Sequence, residues 1–465
     1  MVASSHPLRH VPDDVSAHRT GPCAPCAPRA HGSLQRANRN LTILICAPAT
    51  PRILAELGST NELDGTLIVA MWNLGATLGC LVVGPLSEIH GRRPVYNVAN
   101  LLCLALLAAE TQSRSVGVVV ALRCLNGVAV ATTALNPSIV ADLFVVEERG
   151  RAQSLLALMP LLGPALGPVV GGWVAQAKGW RWTFWVAFFV LALFSVAFVG
   201  VYRETYDAAI LRRKAARLRA ESGNARLRSR YDHSLSAATV LRKAFVRPVK
   251  IFRIPIFLVL ALSGCLLSGY VYLLATTLTP VLDASYALSS GAAGLAFLGL
   301  ALGMAAGALF CSVALDRHTK RMKARRGEIK PEWRLPPMSV GFVVAPAGLL
   351  LYGWSAQAHV QYVVVPIVGT ALVGFAAYTV TIPVTTYLAD VFATYRASAM
   401  SALTMARNAV SLLLPLVGPP LYRALGLGWG NSVLAFGALA LVPVPLVLLR
   451  YGERLRRSSR IEEWS

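Results

Sequence analysis

The stretch Gly84-Pro-Leu-Ser-Glu-Ile-His-Gly-Arg-Arg-Pro-Val-Tyr96 lies between two apolar segments, residues 65–83 and 95–109. An apolar run of about 20 residues is long enough to cross a bilayer as a helix. The short charged piece between the two runs therefore predicts a tight hairpin at one face of a membrane. Within it, Gly84 and Gly91 suit turn geometry and close backbone approach.

The charges of this hairpin indicate which side of the membrane it faces. Arg92 and Arg93 stand at the edge of the second apolar run, and basic residues there are typical of cytoplasmic loops. Glu88 is a lone acid beside them, where an ion pair forms at little cost. A basic hairpin that only sets the topology is the alternative.

The composition is that of a membrane protein, with 55% hydrophobic and 14% charged residues in a chain of 465. Soluble domains have about 25% charged residues. The net charge of +22 invites a nucleic-acid partner, but 37 of the 44 lysines and arginines fall in segments that we assign to the cytoplasmic side. This positive-inside pattern predicts contact with an anionic cytoplasmic leaflet and no nucleic acid.

Motifs for metal binding and catalysis are lacking in the sequence. Cys23 and Cys26 form one C-x-x-C with no second pair and no adjacent histidine set, so we expect no metal site. The chain has no Gly-x-Ser-x-Gly elbow, no His-Glu-x-x-His and no phosphate loop. We therefore expect a protein that is not an enzyme and needs no cofactor.

Composition divides the chain into helical bundles joined and flanked by polar segments. The central basic segment carries short apolar stripes that suit helices on the cytoplasmic leaflet, with a merely solvated helix as the alternative. The predicted parts are a disordered cytoplasmic arm (1–40), an N-terminal bundle (41–203), a basic cytoplasmic linker (204–253), a C-terminal bundle (254–450) and a cytoplasmic tail (451–465).

The first span, residues 41–58, is the weakest. Its uninterrupted apolar part is short, and Pro48, Pro51, Arg52 and Glu56 follow. We expect a truncated first helix from an incomplete or wrongly spliced gene model, with a natural eleven-span chain as the alternative. Both termini are cytoplasmic if the first helix is complete.

The two halves of the chain repeat one another. Ala141-Asp142-Leu-Phe ends the fourth span and Ala389-Asp390-Val-Phe ends the tenth. A basic loop at residues 316–326 stands where the second half should repeat the opening hairpin. Repeated helical halves with a site between them predict an all-α transporter that rocks between two states.

The fourth span carries Arg123 a few residues from its end. A charge there is costly unless it faces a cavity or a partner, and snorkelling to the interface is the alternative. The 22 acidic residues include none in the middle of a span. Glu110, Asp142 and Glu56 are the carboxylates whose positions allow them to carry a proton, and the sequence does not select among them.

The fifth span contains Gly163-Pro164-x-x-Gly167-Pro168-x-x-Gly171-Gly172. Glycines at a spacing of four form a groove for close helix contact, and the prolines each remove a backbone hydrogen bond and bend the helix. This pattern suits a pivoting helix, with a simple packing device as the alternative.

Several polar side chains lie at membrane depth, where unpaired polar groups are costly. They either line a cavity or form hydrogen bonds between helices. These cavity candidates are Asn73, Asn126, Asn136, Tyr270, Tyr272, Tyr378, Arg407 and Asn408.

The quoted motifs together resemble a known family. The hairpin resembles the loop signature Gly-x-Leu-(Ser/Ala)-Asp-x-x-Gly-Arg-Arg of the major facilitator superfamily, with Glu88 in place of the usual Asp. Leu122-Arg-Cys-Leu-Asn-Gly127 resembles its Arg-x-x-x-Gly signature, and the Gly/Pro pattern of the fifth span resembles the signature of its antiporters. With Arg203-Glu204-Thr205-Tyr206, the chain is most similar to the fungal twelve-span drug:proton antiporters.

The resemblance implies the major facilitator fold, with two six-helix bundles related by pseudo-symmetry. It implies proton-driven efflux of small hydrophobic or cationic compounds, such as drugs, toxins, polyamines or secondary metabolites, by a plasma-membrane protein that we expect to be a monomer. It also implies that Arg123 takes part in proton coupling. The gate would comprise Gly84, Glu88, Gly91, Arg92, Arg93, Asp142 and Asp390. A non-transporting remnant and a nutrient importer are the alternatives.

Overall fold

A computed structural model describes residues 44–132, 163, 166–201, 204, 207–223, 246, 248, 250–326, 331–392 and 396–458. These residues form helices and turns, with no strand among them. In chain order the helices are α1 (Thr50–Glu56), α2 (Glu62–Ala70), α3 (Trp72–His90), α4 (Arg92–Thr111), α5 (Val116–Val130), α6 (166–178), α7 (Trp180–Val201), α8 (Asp207–Ser222), α9 (Pro255–Tyr286), α10 (Ser290–Arg326), α11 (Pro336–Gln357), α12 (Val364–Val391), α13 (Arg396–Leu439) and α14 (Pro443–Ser458). The range given for α13 comprises two helices that meet at a break at Gly426, where φ is 74°.

The surface of this bundle is suited to lipid. Within the described residues, eight helices are long and apolar enough to cross a bilayer, and α5 is a shorter apolar helix. Large apolar side chains such as Leu101, Leu193 and Val196 are exposed on the outward faces of the helices. Exposed apolar surface on so many spans is expected of a multi-pass protein that lies in a membrane.

In each half, a glycine lets two helices pack with their backbones in close contact. In the first half α3 lies against α5, and a side chain at Gly75 would collide with the backbone of Cys124. In the second half α10 lies against α12, and a side chain at Gly303 would collide with the backbone of Ala371. These helix pairs hold equivalent places in the two halves, so small residues bring the backbones together at matching positions.

The halves also contact each other. The indole of Trp72 in α3 lies 6.3 Å from the ring of Tyr272 in α9, between ring centroids. The Gly291 N–H at the start of α10 donates to the Gln176 side-chain oxygen of α6 at 3.1 Å. We call the end of the molecule that holds the Gly91 turn the Gly91 end. The opposite end, which holds the turn at Gly179 between α6 and α7, is the Gly179 end.

Some helices differ in length from the sequence-based expectation. Helix α10 extends to Arg326, past the apolar part that we expected to end near residue 316, because Lys and Arg are good helix formers. Helix α12 begins at Val364 rather than near residue 359, after a turn in which His359 has a positive φ of 46°. Helix α14 continues to Ser458, inside the segment that composition assigned to the tail.

The first span begins with two short pieces. A 3-10 turn at Ala47–Ala49 precedes α1, which ends at Glu56. Pro48 and Pro51 stand in the first turns of these elements, where the missing N–H has no helical partner to lose. Pro48 is buried and Pro51 is partly buried, and the 3-10 turn packs against α9 and α10 of the second half.

Candidate transport site

Arg123 is the centre of a buried polar cluster in the N-terminal bundle. Its side chain is 1% exposed. Its Nε donates to the Ile68 carbonyl of α2 at 3.1 Å, and a terminal nitrogen contacts the Cys46 sulfur. The guanidinium also lies 5.6 Å from the centre of the Phe184 ring of α7. Arg123 therefore points into the bundle and does not snorkel to the interface.

Glu110 belongs to the same cluster. It is fully buried in α4, and its Oε1 accepts from the Asn126 side-chain amide of α5 at 3.4 Å. Its Oε2 has no hydrogen-bond partner among the described residues. The Cys103 thiol donates to the other end of the Asn126 carboxamide at 3.0 Å. Arg123 lies close enough to act electrostatically on Glu110, so one acid and one base share a dry site.

Arg407 occupies a different environment, between the two halves. It lies in α13 and is exposed, although the helix around it is apolar. Its charge reaches Cys80 of α3, Tyr272 of α9 and Tyr378 of α12. Because these neighbours come from both halves, Arg407 faces the space between them.

The remaining cavity candidates have separate environments. Asn73 of α3 is fully buried, and neither end of its carboxamide finds a hydrogen-bond partner in the described part of the chain. Asn408 is buried next to Arg407 in the sequence. The Tyr270 hydroxyl, in contrast, donates to the Leu434 carbonyl at 2.7 Å inside the C-terminal bundle. The Asn126 side chain likewise forms its hydrogen bonds within its own bundle, with Cys103 and Glu110.

The Gly91 turn is held by a carboxylate that the sequence did not assign to it. Gly91 has a φ of 95°, a left-handed conformation that favours glycine. The Glu204 side chain accepts from the backbone N–H of Arg92 at 2.9 Å and of Arg93 at 3.1 Å. The guanidinium of Arg92 donates to the Ser87 hydroxyl at 2.6 Å. An anion that accepts from the first two N–H groups of α4 is a favourable arrangement.

Among the remaining predicted site residues, one gate glycine lacks the close contact that we expected, and several residues are not described. No described atom lies within 4 Å of a Cβ at Gly84, so nothing in this part of the structure requires a close backbone approach there. The Glu88 side chain, Asp142, Asn136 and Pro164 lie outside what the structure describes. The gate role that the family resemblance implies for Asp142 therefore stays a prediction.

The Gly/Pro helix makes three close contacts with two neighbouring elements. A side chain at Gly171 would collide with the Ile45 backbone of the first span, and one at Gly172 would collide with the Ser290 backbone at the start of α10. A side chain at Gly294 would reach the Pro168 carbonyl at 2.5 Å. Gly163 and Gly167 are buried. Thus α6 touches both its own bundle and the other one.

The second half has its own ion pair at the Gly91 end. Arg334 in the 3-10 turn Pro331–Arg334 pairs with Asp390 at the end of α12, with 2.8 Å between nitrogen and oxygen. Asp390 holds the place in the second half that Asp142 holds in the first. The preceding carbonyl of Trp333 lies 3.0 Å from the ring nitrogen Nδ1 of His318 in α10.

At the Gly179 end, Glu56 joins the first span to α7. Its carboxylate accepts from the Trp180 indole at 2.7 Å and pairs with Arg181. The hydrogen bond from Arg181 lowers the pKa of the Glu56 carboxyl below its usual value. Glu56 is therefore a structural partner here.

The described residues contain no group of three or more histidine, cysteine or acidic side chains placed to hold a metal ion. The residues that the sequence analysis did not place in a site are Cys46, Trp72, Glu204 and Arg334. Glu204 stands in the motif Arg203-Glu204-Thr205-Tyr206. The partners of Glu204 and Arg334 are distant in sequence, so no local pattern indicated these contacts.

Comparison with known proteins agrees with this architecture. Residues 41–415 match the model of the Major Facilitator Superfamily. Among solved structures, the chain is similar to a D-xylose-proton symporter, with a TM-score of 0.66 and 14% identity over 90% of this chain and 97% of the other. It is also similar to the human organic anion transporter MFSD10, with a TM-score of 0.62 and 19% identity over 92% and 100%. At these identities the likeness concerns the fold alone.

Curated relatives are closer in sequence. The chain is 38% identical to "Efflux pump radE" of Floropilus chiversii over 90% of this chain and 78% of the relative. It is 41% identical to "MFS-type transporter atr4" of Stereocaulon alpinum over 90% and 75%, and 39% identical to "MFS-type transporter penM" of Penicillium rubens over 90% and 82%. The chain therefore belongs to the major facilitator superfamily and is a multi-pass membrane transporter for small molecules.

Proposed function

We propose that this transporter is a proton-coupled antiporter that exports small hydrophobic compounds by alternating access. The proposed direction of transport, export, is supported by the efflux-pump relative that shares 38% identity over most of both chains. It is also supported by the Gly/Pro helix α6, whose glycines lie against the first span and against α10. A helix that touches both halves is suited to pivot when they rock.

Glu110 is the observation that carries the proposed proton coupling. A buried carboxylate is costly when ionised unless it is paired, and Glu110 has one long hydrogen bond and a nearby guanidinium. We propose that Glu110 is protonated when Arg123 is engaged elsewhere and ionised when Arg123 turns toward it. Such an exchange links proton uptake to a movement of helices α4 and α5.

The test uses the full chain in vesicles with an imposed pH gradient. The probes are Nile red (neutral), rhodamine 123 (cationic) and fluorescein (anionic), and extrusion of any one of them supports export. Glu110→Gln should abolish the gradient-driven flux but keep dye exchange without a gradient. Asp283→Asn, an exposed acid at the end of α9, is the matched control and should behave as the wild type.

Three outcomes contradict the proposal. Gradient-driven accumulation instead of extrusion would favour an importer. A wild-type flux in Glu110→Gln would exclude this proton carrier. A folded chain that moves none of the three dyes would favour a non-transporting remnant.

We propose that the Gly91 end faces the cytoplasm and that the protein acts as a monomer in the plasma membrane. The support is the concentration of Lys and Arg at that end, including the exposed Arg213 and Lys214 of α8, which suit an anionic leaflet. Labelling of Lys178→Cys with an impermeant maleimide on intact cells tests the orientation. The reagent should react, because Lys178 is exposed at the Gly179 end.

A further inference from the structure

Arg407 carries a permanent charge at the centre of the membrane-spanning region. It lies about 16 Å along α13 from the helix start at Arg396, at 1.5 Å per residue. That is about half the thickness of the hydrocarbon core. An arginine stays protonated in proteins, so this position is cationic in every state of the transport cycle.

The surroundings of Arg407 do not neutralise that charge. No described carboxylate forms an ion pair with it. The groups within its electrostatic reach are two thiols, Cys80 and Cys265, and two phenols, Tyr272 and Tyr378. Because Arg407 is nevertheless exposed, it borders an open space between the bundles rather than a packed interior.

The same space has aromatic walls and a further polar group. Tyr272 lies next to Trp72 of the other bundle, at 6.3 Å between ring centroids. Asn73 is two helical turns from Cys80, so both lie on the face of α3 that is turned toward α13. The carboxamide of Asn73 has no partner among the described residues and is available to a ligand when the bundles rock apart.

These features select one class of substrate. A fixed cation that no described carboxylate pairs with attracts an anion and repels a cation, and flat aromatic walls favour an apolar or aromatic body. We propose that Arg407 is the anion-binding residue of the transport site and that the exported compounds are amphipathic organic anions, with a carboxylate or an acidic phenol. This inference rests on the proposed function, and it replaces the cationic compounds that the family resemblance in the sequence analysis also implied.

Binding to the purified full chain in a neutral detergent tests this directly. Fluorescein and rhodamine 123 share a xanthene skeleton and differ in charge, so their anisotropy titrations at pH 7.5 isolate the effect of charge. We expect saturable fluorescein binding that is about tenfold tighter than rhodamine 123 binding. Arg407→Gln should weaken fluorescein binding about tenfold and leave rhodamine 123 no weaker.

Two further variants separate charge from folding. Arg407→Lys keeps the cation and should retain most of the fluorescein affinity. Arg114→Gln removes an exposed cation from the loop between α4 and α5 and should change nothing. Each variant is compared at equal monodispersity and thermal stability. If Arg407→Gln is misfolded, Arg407→Met, which also removes the charge, replaces it as the decisive comparison.

The proposal is overturned if folded wild type shows no saturable fluorescein binding or prefers rhodamine 123. It is also overturned if Arg407→Gln binds fluorescein with wild-type affinity. Binding requires no gradient, so these results do not depend on the direction of transport. Conversely, failure here leaves the gradient-driven flux and its dependence on Glu110 intact, and the two proposals fail separately.

Discussion

The Glu204 carboxylate accepts the backbone N–H of Arg92 at 2.9 Å, although 111 residues separate the two in sequence. Glu204 stands between α7 and the linker helix α8, and Arg92 begins α4. The contact therefore ties the beginning of the linker to the turn at the Gly91 end.

We predict that Glu204→Gln destabilises this end of the protein by about 1–2 kcal/mol. The reason is the loss of an anion that meets two N–H groups and the positive end of a helix dipole. Thermal unfolding followed by size-exclusion chromatography measures the change. Glu221→Gln is the control, because Glu221 forms an exposed pair with Arg217 within α8 and its loss should leave the unfolding temperature nearly unchanged.

We predict that Gly91→Ala costs at least about 1–2 kcal/mol. The left-handed conformation at φ 95° strains any L side chain, and the new Cβ would lie 2.5 Å from the Glu204 carboxylate. Gly84→Ala should be neutral or slightly stabilising, because Gly84 is inside a helix and has open space around it in the described structure. Equal losses of thermal stability in both variants would contradict this account of the turn.

We predict that Gly172→Ala weakens the contact between the bundles at the Gly179 end. The added methyl would collide with the Ser290 backbone at the start of α10. Cross-linking between cysteines placed at Gln176 and Ala292 should become severalfold slower. Gly200→Ala, with nothing within 4 Å of its Cβ, should leave the rate unchanged.

We predict a pH-dependent contribution of Glu56 to stability. Because the pKa of Glu56 is lowered in the folded state by its bond to Arg181, the pair stabilises the protein above the usual carboxyl pKa of 4.5. This stabilisation is lost as the pH falls through the lower, folded value. Glu56→Gln should therefore unfold at a lower temperature than the wild type at pH 7, by an amount that reflects about 0.5–1 kcal/mol for a partly exposed pair.

The difference between the two proteins should shrink as the pH falls through the lowered, folded-state pKa of Glu56 and should vanish below it. The measurement is a thermal denaturation series from pH 7 downward in the same detergent. A difference that persists unchanged into acid would show that the carboxylate charge has no part in it.

Local patterns were enough to predict the spans and the hairpin. The Gly91 turn follows from a glycine between two apolar runs, and Arg123 and Glu110 were singled out because charges are rare in such runs. Their proximity was not predictable, because it depends on how α4 and α5 rotate about their axes in the bundle. The partners Ile68 and Cys46 come from other helices, and no periodicity within one helix identifies them.

The sequence also could not predict which of two neighbouring tyrosines faces the other bundle. Tyr270 and Tyr272 are two residues apart, so their side chains point to nearly opposite faces of α9. The sequence shows this separation but not which face is turned to the other bundle. The structure places Tyr272 near Trp72 and places the Tyr270 hydroxyl on the Leu434 carbonyl. Only tertiary packing distinguishes the two residues.

The central claim is that the two bundles rock, so that one end opens when the other closes. Double electron–electron resonance on the full chain, with its native cysteines replaced, measures this directly from two label pairs. One pair, Gln176 and Ala292, reports on the Gly179 end, and the other, His90 and Arg321, reports on the Gly91 end. When the pH of the sample is changed, we expect one of the two distances to lengthen as the other shortens. Two distances that stay fixed, or that lengthen together, would contradict alternating access.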